Sequence, residues 1–294
     1  MNTTASSKFY ILLIMAMVSW GFAWPSGKAI AGMVPATVII FWRFLLTAIT
    51  LIPVIIYFKK SLILKDSSDY KDVALGAIFY TIYNQFFLMG LENGLAGAGG
   101  VLVTTLNPIL TYLLVHTISK IIPSIKESFG LLLGVIGGCI LLKVWNISLE
   151  SLFSTGNIYF LLASFTWALL SMNSHRTGTK ISPEVYGFYV YSIGTLLDFI
   201  FAIPYGVFNV FDQEISFWMH VIYLAVVSTT FGTTIYFFAA SKLGSKTASS
   251  FIFLVPVTAV FGSWLFLGEI PMLSTILGGL CAISAVMILN YNRK

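Results

Sequence analysis

Very few side chains in this 294-residue sequence could do chemistry at all. Arg43 is the one basic residue set inside a long apolar run, and Asp198 the one clear acid in such a position. Ionisable groups placed there are costly and face a protein interior or an aqueous cavity. Two readings stand for the pair. Either they form an ion pair or shared polar network that locks parts of the chain together, or they act on something else. In the second case Arg43 holds a substrate carboxylate through its forked N–H donors and Asp198 accepts a proton. Polar residues recur around them at helical spacing: Arg43, Thr47 and Thr50; Tyr191, Thr195 and Asp198; Tyr80, Asn84 and Phe87, with Gln85 alongside; Thr229, Thr233 and Tyr236. Spacings of i, i+4 and i+7 share one helix face, so these stripes predict faces turned to a cavity or to a neighbouring helix. Asn84 and Gln85 weigh most, because a buried amide needs several partners. Trp20, Trp24 and Trp167 are expected to line the same cavity, with an interfacial belt as the other place for Trp24.

The elements that must carry these residues follow from composition. At 58% hydrophobic and 9% charged, with a mean hydropathy of +0.92, the chain departs from soluble domains, where about a quarter of residues are charged. Continuous apolar runs of about 20 residues recur from end to end, the length of a membrane-crossing helix rather than of barrel strands. The expected fold is an all-α integral membrane protein of ten transmembrane helices at 9–30, 35–58, 72–91, 95–116, 127–146, 156–175, 183–208, 216–240, 246–267 and 271–290. The first run ends near Ala29-Ile30-Ala31, like a signal-peptide cleavage site, but is too long for one and reads as a retained span. Thirteen Lys and Arg fall in the termini and loops of one side, against Lys28 and Lys143 on the other. That bias predicts both termini in the cytoplasm. The basic residues are spread over loops, so no nucleic-acid partner is expected. Cys139 and Cys281 lie in apolar runs and read as small buried residues.

The sequence also looks written twice. Leu106-Asn107-Pro108 and Leu254-Val255-Pro256 lie half a chain length apart, and Ser19-Trp20-Gly21 has a similar counterpart in Thr166-Trp167-Ala168. Two repeats are expected, residues 1–147 and 148–294. Five spans is an odd number, so the second half must be inserted upside down, as in secondary transporters with a site near the midplane. Pro108 and Pro256 are expected mid-span in equivalent places, as hinges or cavity-lining bends. Arg43 and Asp198 occupy the second span of each half, about 12 and 15 Å below its outer edge at 1.5 Å per residue. Glu269 at the outer edge is expected to cap the last helix or gate the mouth. Gly130, Gly134 and Gly138 form a small-residue stripe for close packing, internally or between protomers.

Trp20-Gly21-Phe22-Ala23-Trp24-Pro25-Ser26-Gly27-Lys28, Arg43, Ala248-Ser249, Pro256 and Leu267-Gly268-Glu269 together resemble the signature of EamA-type members of the drug/metabolite transporter superfamily. The first half departs from it, because the position matching Glu269 is Ile121. The resemblance implies a carrier of small metabolites, often an exporter of amino acids or related compounds, working by alternating access. It also implies that the fifth and tenth spans are peripheral. The expected protein is thus an inner-membrane exporter, monomeric or homodimeric, possessing no cofactor or metal and no enzymatic activity. No serine–histidine–acid set, metal-ligand cluster or Walker loop stands out, so work must draw on gradients. The rival readings are a membrane-embedded enzyme or lipid-handling protein, and a channel.

Overall fold

A computed structural model describes residues 3–120, 122–146, 148, 155–178, 180–243 and 251–290. Ala248, Ser249 and Ile121, singled out above, lie outside the described residues. In hydrocarbon every backbone N–H and C=O must be met within the chain, and the apolar runs meet theirs as helices. Ten follow in order: α1 (Thr3–Ile30), α2 (Ala36–Tyr57), α3 (Ser67–Asn93), α4 (Ala96–Ser119), α5 (Ile125–Leu142), α6 (Asn157–Thr177) and α7 (Pro183–Ala202), then α8, α9 (Leu254–Leu267) and α10 (Leu273–Asn290). Helix α8 is continuous over 215–243 but changes winding, from α (Ile215–Ile222) to π (Tyr223–Phe231) and back to α (Gly232–Leu243). Among the described residues the sole β-type pairing is one isolated bridge between Ala31 and Val34.

Among the described residues, seven helices are by themselves long and apolar enough to cross a membrane, while Phe251–Leu267 and Leu273–Ile288 are shorter apolar helices. Two expected boundaries move. The seventh span stops at Ala202, and the chain continues through two 3-10 turns, Ile203–Tyr205 and Asn209–Asp212. Gly206 sits between them at φ 75°, a left-handed conformation that glycine adopts freely. The ninth helix begins at Leu254, after a 3-10 turn at Phe251–Phe253, so Pro256 falls in its first turn. There its missing N–H has no intrahelical partner to lose. Pro108, by contrast, lies in the middle of α4. The two prolines are therefore not equivalent in place, contrary to expectation.

The helices pair across the middle of the chain. Helix α2 packs on α7, α4 on α9, and α5 on α10; α3 packs on α6 while α1 packs on α8; α1 packs on α9 while α4 packs on α6. Phe9, Phe58 and Phe238 meet at the end of the bundle that holds the N-terminus. Arg176 of α6 pairs with Asp72 of α3 at that same end, and Tyr189 of α7 donates to the Leu62 carbonyl at 2.7 Å.

Helices α5 and α10 pack chiefly on each other and on α4, outside the remaining eight. The glycine stripe works inside the chain: a Cβ at Gly134 would come within 2.4 Å of Ile109 Cδ1, as expected of the stripe, but the close backbone approach falls at Gly137, outside it. A Cβ at Gly137 would come within 2.8 Å of Ala282 N and 2.9 Å of Gly278 O, so the backbones of α5 and α10 nearly touch there. At the next residue, Gly138, a Cβ would meet only the end of Leu106 at 3.4 Å. Gly137→Val must therefore push two helices apart, at about 1–3 kcal/mol, whereas Gly138→Ala costs little. Thermal melts of the detergent-purified variants should separate the two; equal melting temperatures would contradict this packing.

Candidate functional site

Arg43 sits two turns into α2 and is 7% exposed. Its Nη1 donates to Asn84 Oδ1 at 2.7 Å and its Nη2 to Thr229 Oγ1 at 3.4 Å. Both acceptors are oriented beforehand. Asn84 spends its amide nitrogen on the Tyr80 carbonyl at 2.9 Å, which turns its oxygen towards the guanidinium. Thr229 spends its hydroxyl hydrogen on the Leu224 carbonyl, five residues back, at 2.8 Å. That i−5 bond belongs to the π winding of α8, a form found mostly in short stretches at functional sites. The guanidinium carbon also lies 5.9 Å from the centre of the Phe87 ring, within reach of the attraction between a cation and an aromatic face. Arg43 Nε is buried and has no partner.

Asp198 is fully buried. Thr81 Oγ1 donates to its Oδ2 at 3.1 Å and Gln85 Nε2 to its Oδ1 at 3.0 Å. Arg43 and Asp198 thus make no ion pair with each other, the pairing offered first from the sequence; among the described residues the ion pair is Arg176 with Asp72. Instead both charges bond to α3, through the adjacent residues Asn84 and Gln85. The early end of α7 also leaves Asp198 about 6 Å from the helix terminus, shallower in its own helix than expected.

The remaining expected residues pack around and behind these two groups. Tyr191 donates to the Tyr80 hydroxyl at 3.1 Å, and both rings pack on Phe44. Tyr83 stacks on Tyr80 and meets the edge of Trp167 with ring centres 4.4 Å apart. Trp20 donates from Nε1 to the Ser228 carbonyl in the π segment at 2.9 Å and lies against Tyr236. Trp24 is buried against Phe87 and Phe160, so it belongs to the core behind the Arg43 site and not to an interfacial belt. Tyr80, Asn84, Gln85, Tyr191, Asp198 and Arg43 come together on one level, with Trp167 at its edge and Trp20 and Tyr236 joined to it through α8. Pro108 and Pro256 take no part.

Two features were not legible. The π segment breaks the spacing expected for Thr229, Thr233 and Tyr236 and brings Thr230 and Thr234 to the same cleft as Thr229 and Thr233. The doublets Thr229-Thr230 and Thr233-Thr234 are its one sequence signal. The other is what Glu269 holds. Its carboxylate accepts from the backbone N–H groups of Ala96 and Gly97, both at 3.0 Å, so it caps α4 and not the last helix. Lys28 of α1 meets the preceding helix end from the opposite sign, its Nζ donating to the Leu91 carbonyl at 2.5 Å. The α3–α4 connection is held by a cation at the carbonyl end of α3 and an anion at the N–H end of α4, as helix dipoles favour.

Among the described residues, ten helices around a buried polar level make the architecture of a multi-pass membrane protein. The EamA-like transporter family model matches twice, over residues 7–143 and 154–291, and the chain belongs to that family, whose members are transporters and not enzymes. It is 26% identical to "Uncharacterized transporter YyaM" of Bacillus subtilis (strain 168), covering 97% of this chain and 96% of that one. An "Uncharacterized transporter" of Archaeoglobus fulgidus is 21% identical over 96% of this chain and 97% of its own. A solved crystal structure superposes with a TM-score of 0.63 at 17% identity, covering 96% of each chain, which shows the shared fold.

Replacing Glu269 by Gln leaves one accepting oxygen for two N–H donors and removes the charge. The variant is expected to lose about 1–2 kcal/mol of stability, read as a lower melting temperature in detergent. A melt superimposable on the wild type would mean that the carboxylate contributes nothing to holding α4.

Proposed function

We propose that this protein is a secondary transporter that exports a small carboxylate-bearing metabolite, an amino acid or related compound, across the inner (plasma) membrane. It works by alternating access between two inverted five-helix halves, residues 1–147 and 148–294, with both termini in the cytoplasm. The double family match and the exchange-related helix pairings support the halves. The asymmetry of Lys and Arg between alternate loops supports the orientation.

One observation carries the reading. Arg43 is a buried cation whose partners are all neutral, and its Nε has no partner at all. A buried charge without a counter-charge is expensive, and an arriving carboxylate would relieve it. Tyr80, Asn84, Tyr191, Trp20, Trp167 and Tyr236 would then surround the substrate, with Trp24 backing Phe87. Asp198, held by two neutral donors, would carry the coupled proton, with Gln85 positioning it. Pro108 is the better placed of the two proposed hinges.

Counterflow in proteoliposomes loaded with a panel of amino acids and organic acids tests this. Arg43→Ala should raise KM 30-fold or more, corresponding to about 2–4 kcal/mol for a lost charge-assisted contact, while Arg43→Lys should retain part of the affinity. Saturable exchange untouched by Arg43→Ala, in a variant that elutes and melts like the wild type, would sink the reading. A proton gradient opposed to substrate movement should accelerate the wild type, and Asp198→Asn should transport at a rate independent of that gradient. An accelerated Asp198→Asn would move the proton site elsewhere.

A further inference from the structure

A cleft runs from Thr229, beside Arg43, towards the end of the bundle that holds the N-terminus. Its lining includes Glu184, Tyr191, Thr229, Thr230, Thr233 and Thr234. Glu184 stands in the first turn of α7, directly after Pro183, where an acid suits the helix dipole. That position does not account for its Oε2, which is fully buried and has no hydrogen-bond partner. The basic side chains of the α6–α7 connection are directed elsewhere: Arg176 pairs with Asp72, and Lys180 Nζ lies 3.4 Å from Ser68 Oγ. A buried carboxylate oxygen without a partner in the wall of a cleft calls for an explanation, and a ligand that enters the cleft would supply one.

The rest of the lining has matching polarity. Thr229 gives its hydroxyl hydrogen to Leu224 O, and Thr230 lies 3.1 Å from Ala225 O, where its own hydrogen is taken up by the π winding. Thr50 Oγ1 lies 2.7 Å from Thr230 Oγ1, and its one hydrogen is shared with the Leu46 carbonyl at 2.8 Å. Tyr191 gives its hydrogen to Tyr80. Hydroxyls that spend their hydrogens on the protein offer lone pairs to a ligand. The cleft is therefore a row of oxygen acceptors ending in one carboxylate, next to a guanidinium on the far side of Thr229.

We propose that this cleft is a seat for a monovalent cationic group held by Glu184 and the Thr233 and Thr234 hydroxyls. The group is either the ammonium of the substrate whose carboxylate rests on Arg43 or a free sodium ion. Its use in transport rests on the carrier reading; its existence does not.

The test has one arm independent of transport. The full chain, purified in detergent, is melted in sodium chloride, propylammonium chloride or N-methylglucamine chloride at equal ionic strength. Sodium or propylammonium should raise the wild-type melting temperature saturably, by about 3 °C near ten times its Kd, and Glu184→Gln should abolish the rise. Thr233→Val with Thr234→Val provides a second variant, expected to weaken it. No rise with either cation, or the same rise in a folded Glu184→Gln, overturns the proposal. Counterflow of leucine and 4-methylpentanoate then assigns the source. A tenfold higher KM for leucine alone in Glu184→Gln identifies the ammonium; sodium dependence of both, lost in the variant, identifies the ion. Failure of the wild type to move either carboxylate would sink the carboxylate carrier reading and leave the thermal result to decide the seat.

Discussion

A guanidinium inside a membrane-spanning bundle is the constraint on which the rest depends. Lipid cannot solvate it, so the protein must supply acceptors and hold them in place. Arg43 receives the Asn84 and Thr229 oxygens and the edge of reach of the Phe87 ring. Each acceptor is fixed by a further bond to backbone, Asn84 to the Tyr80 carbonyl and Thr229 to the Leu224 carbonyl. Those second bonds allow only one orientation of amide and hydroxyl. The site is thus built two layers deep, and its outer layer is helix backbone. An ordinary α winding at Thr229 would direct its hydroxyl to the carbonyl four residues back, as Thr47 and Thr195 do. The π stretch of α8 is therefore part of how Arg43 is held.

The same electrostatics, applied to helix ends, closes one end of the bundle. Lys28 and Glu269 come from α1 and from the residue after Gly268, on either side of the α3–α4 connection, and each meets the helix terminus of opposite partial charge. Two of the bundle's central helices are joined to α1 and α9 by groups that cannot leave without exposing backbone donors and acceptors. At the other end the side-chain tie is of a different kind. Arg176 and Asp72 pair there, with Asn173 donating to the Asp72 carbonyl and close to the Tyr186 hydroxyl. The two ends are thus built from different parts.

What was legible in the sequence is what depends on local period and on length. The apolar runs mark ten helices because in lipid a run of that length has no other way to satisfy its backbone. The stripes through Arg43, Asn84, Tyr191 and Asp198 were legible because spacing alone places residues on one face. Partners across helices were not. Arg43 with Asp198 is the obvious pairing of opposite charges, and it is absent because each meets a neutral amide of α3 first. Glu269 is expected from sequence to cap the last helix or gate the mouth, yet the N–H groups it meets belong to α4. The π winding has no residue code beyond two threonine doublets, and it changes which hydroxyls share a cleft. Glu184 carries no signal of its own in the sequence, because an acid after a proline at a helix start is an ordinary cap.

Keeping the two groups apart is what these details have in common. Had Arg43 and Asp198 paired, each would satisfy the other. Helix α3 prevents this by geometry. Asn84 and Gln85 are consecutive, so their side chains diverge by about 100° around the helix axis. One amide reaches α2 and the other reaches α7, although α2 and α7 themselves pack together. The oxygen of one amide faces the cation and the nitrogen of the other faces the carboxylate. A single helix therefore holds both charges in neutral hands, and any shift or rotation of α3 must change the surroundings of both together.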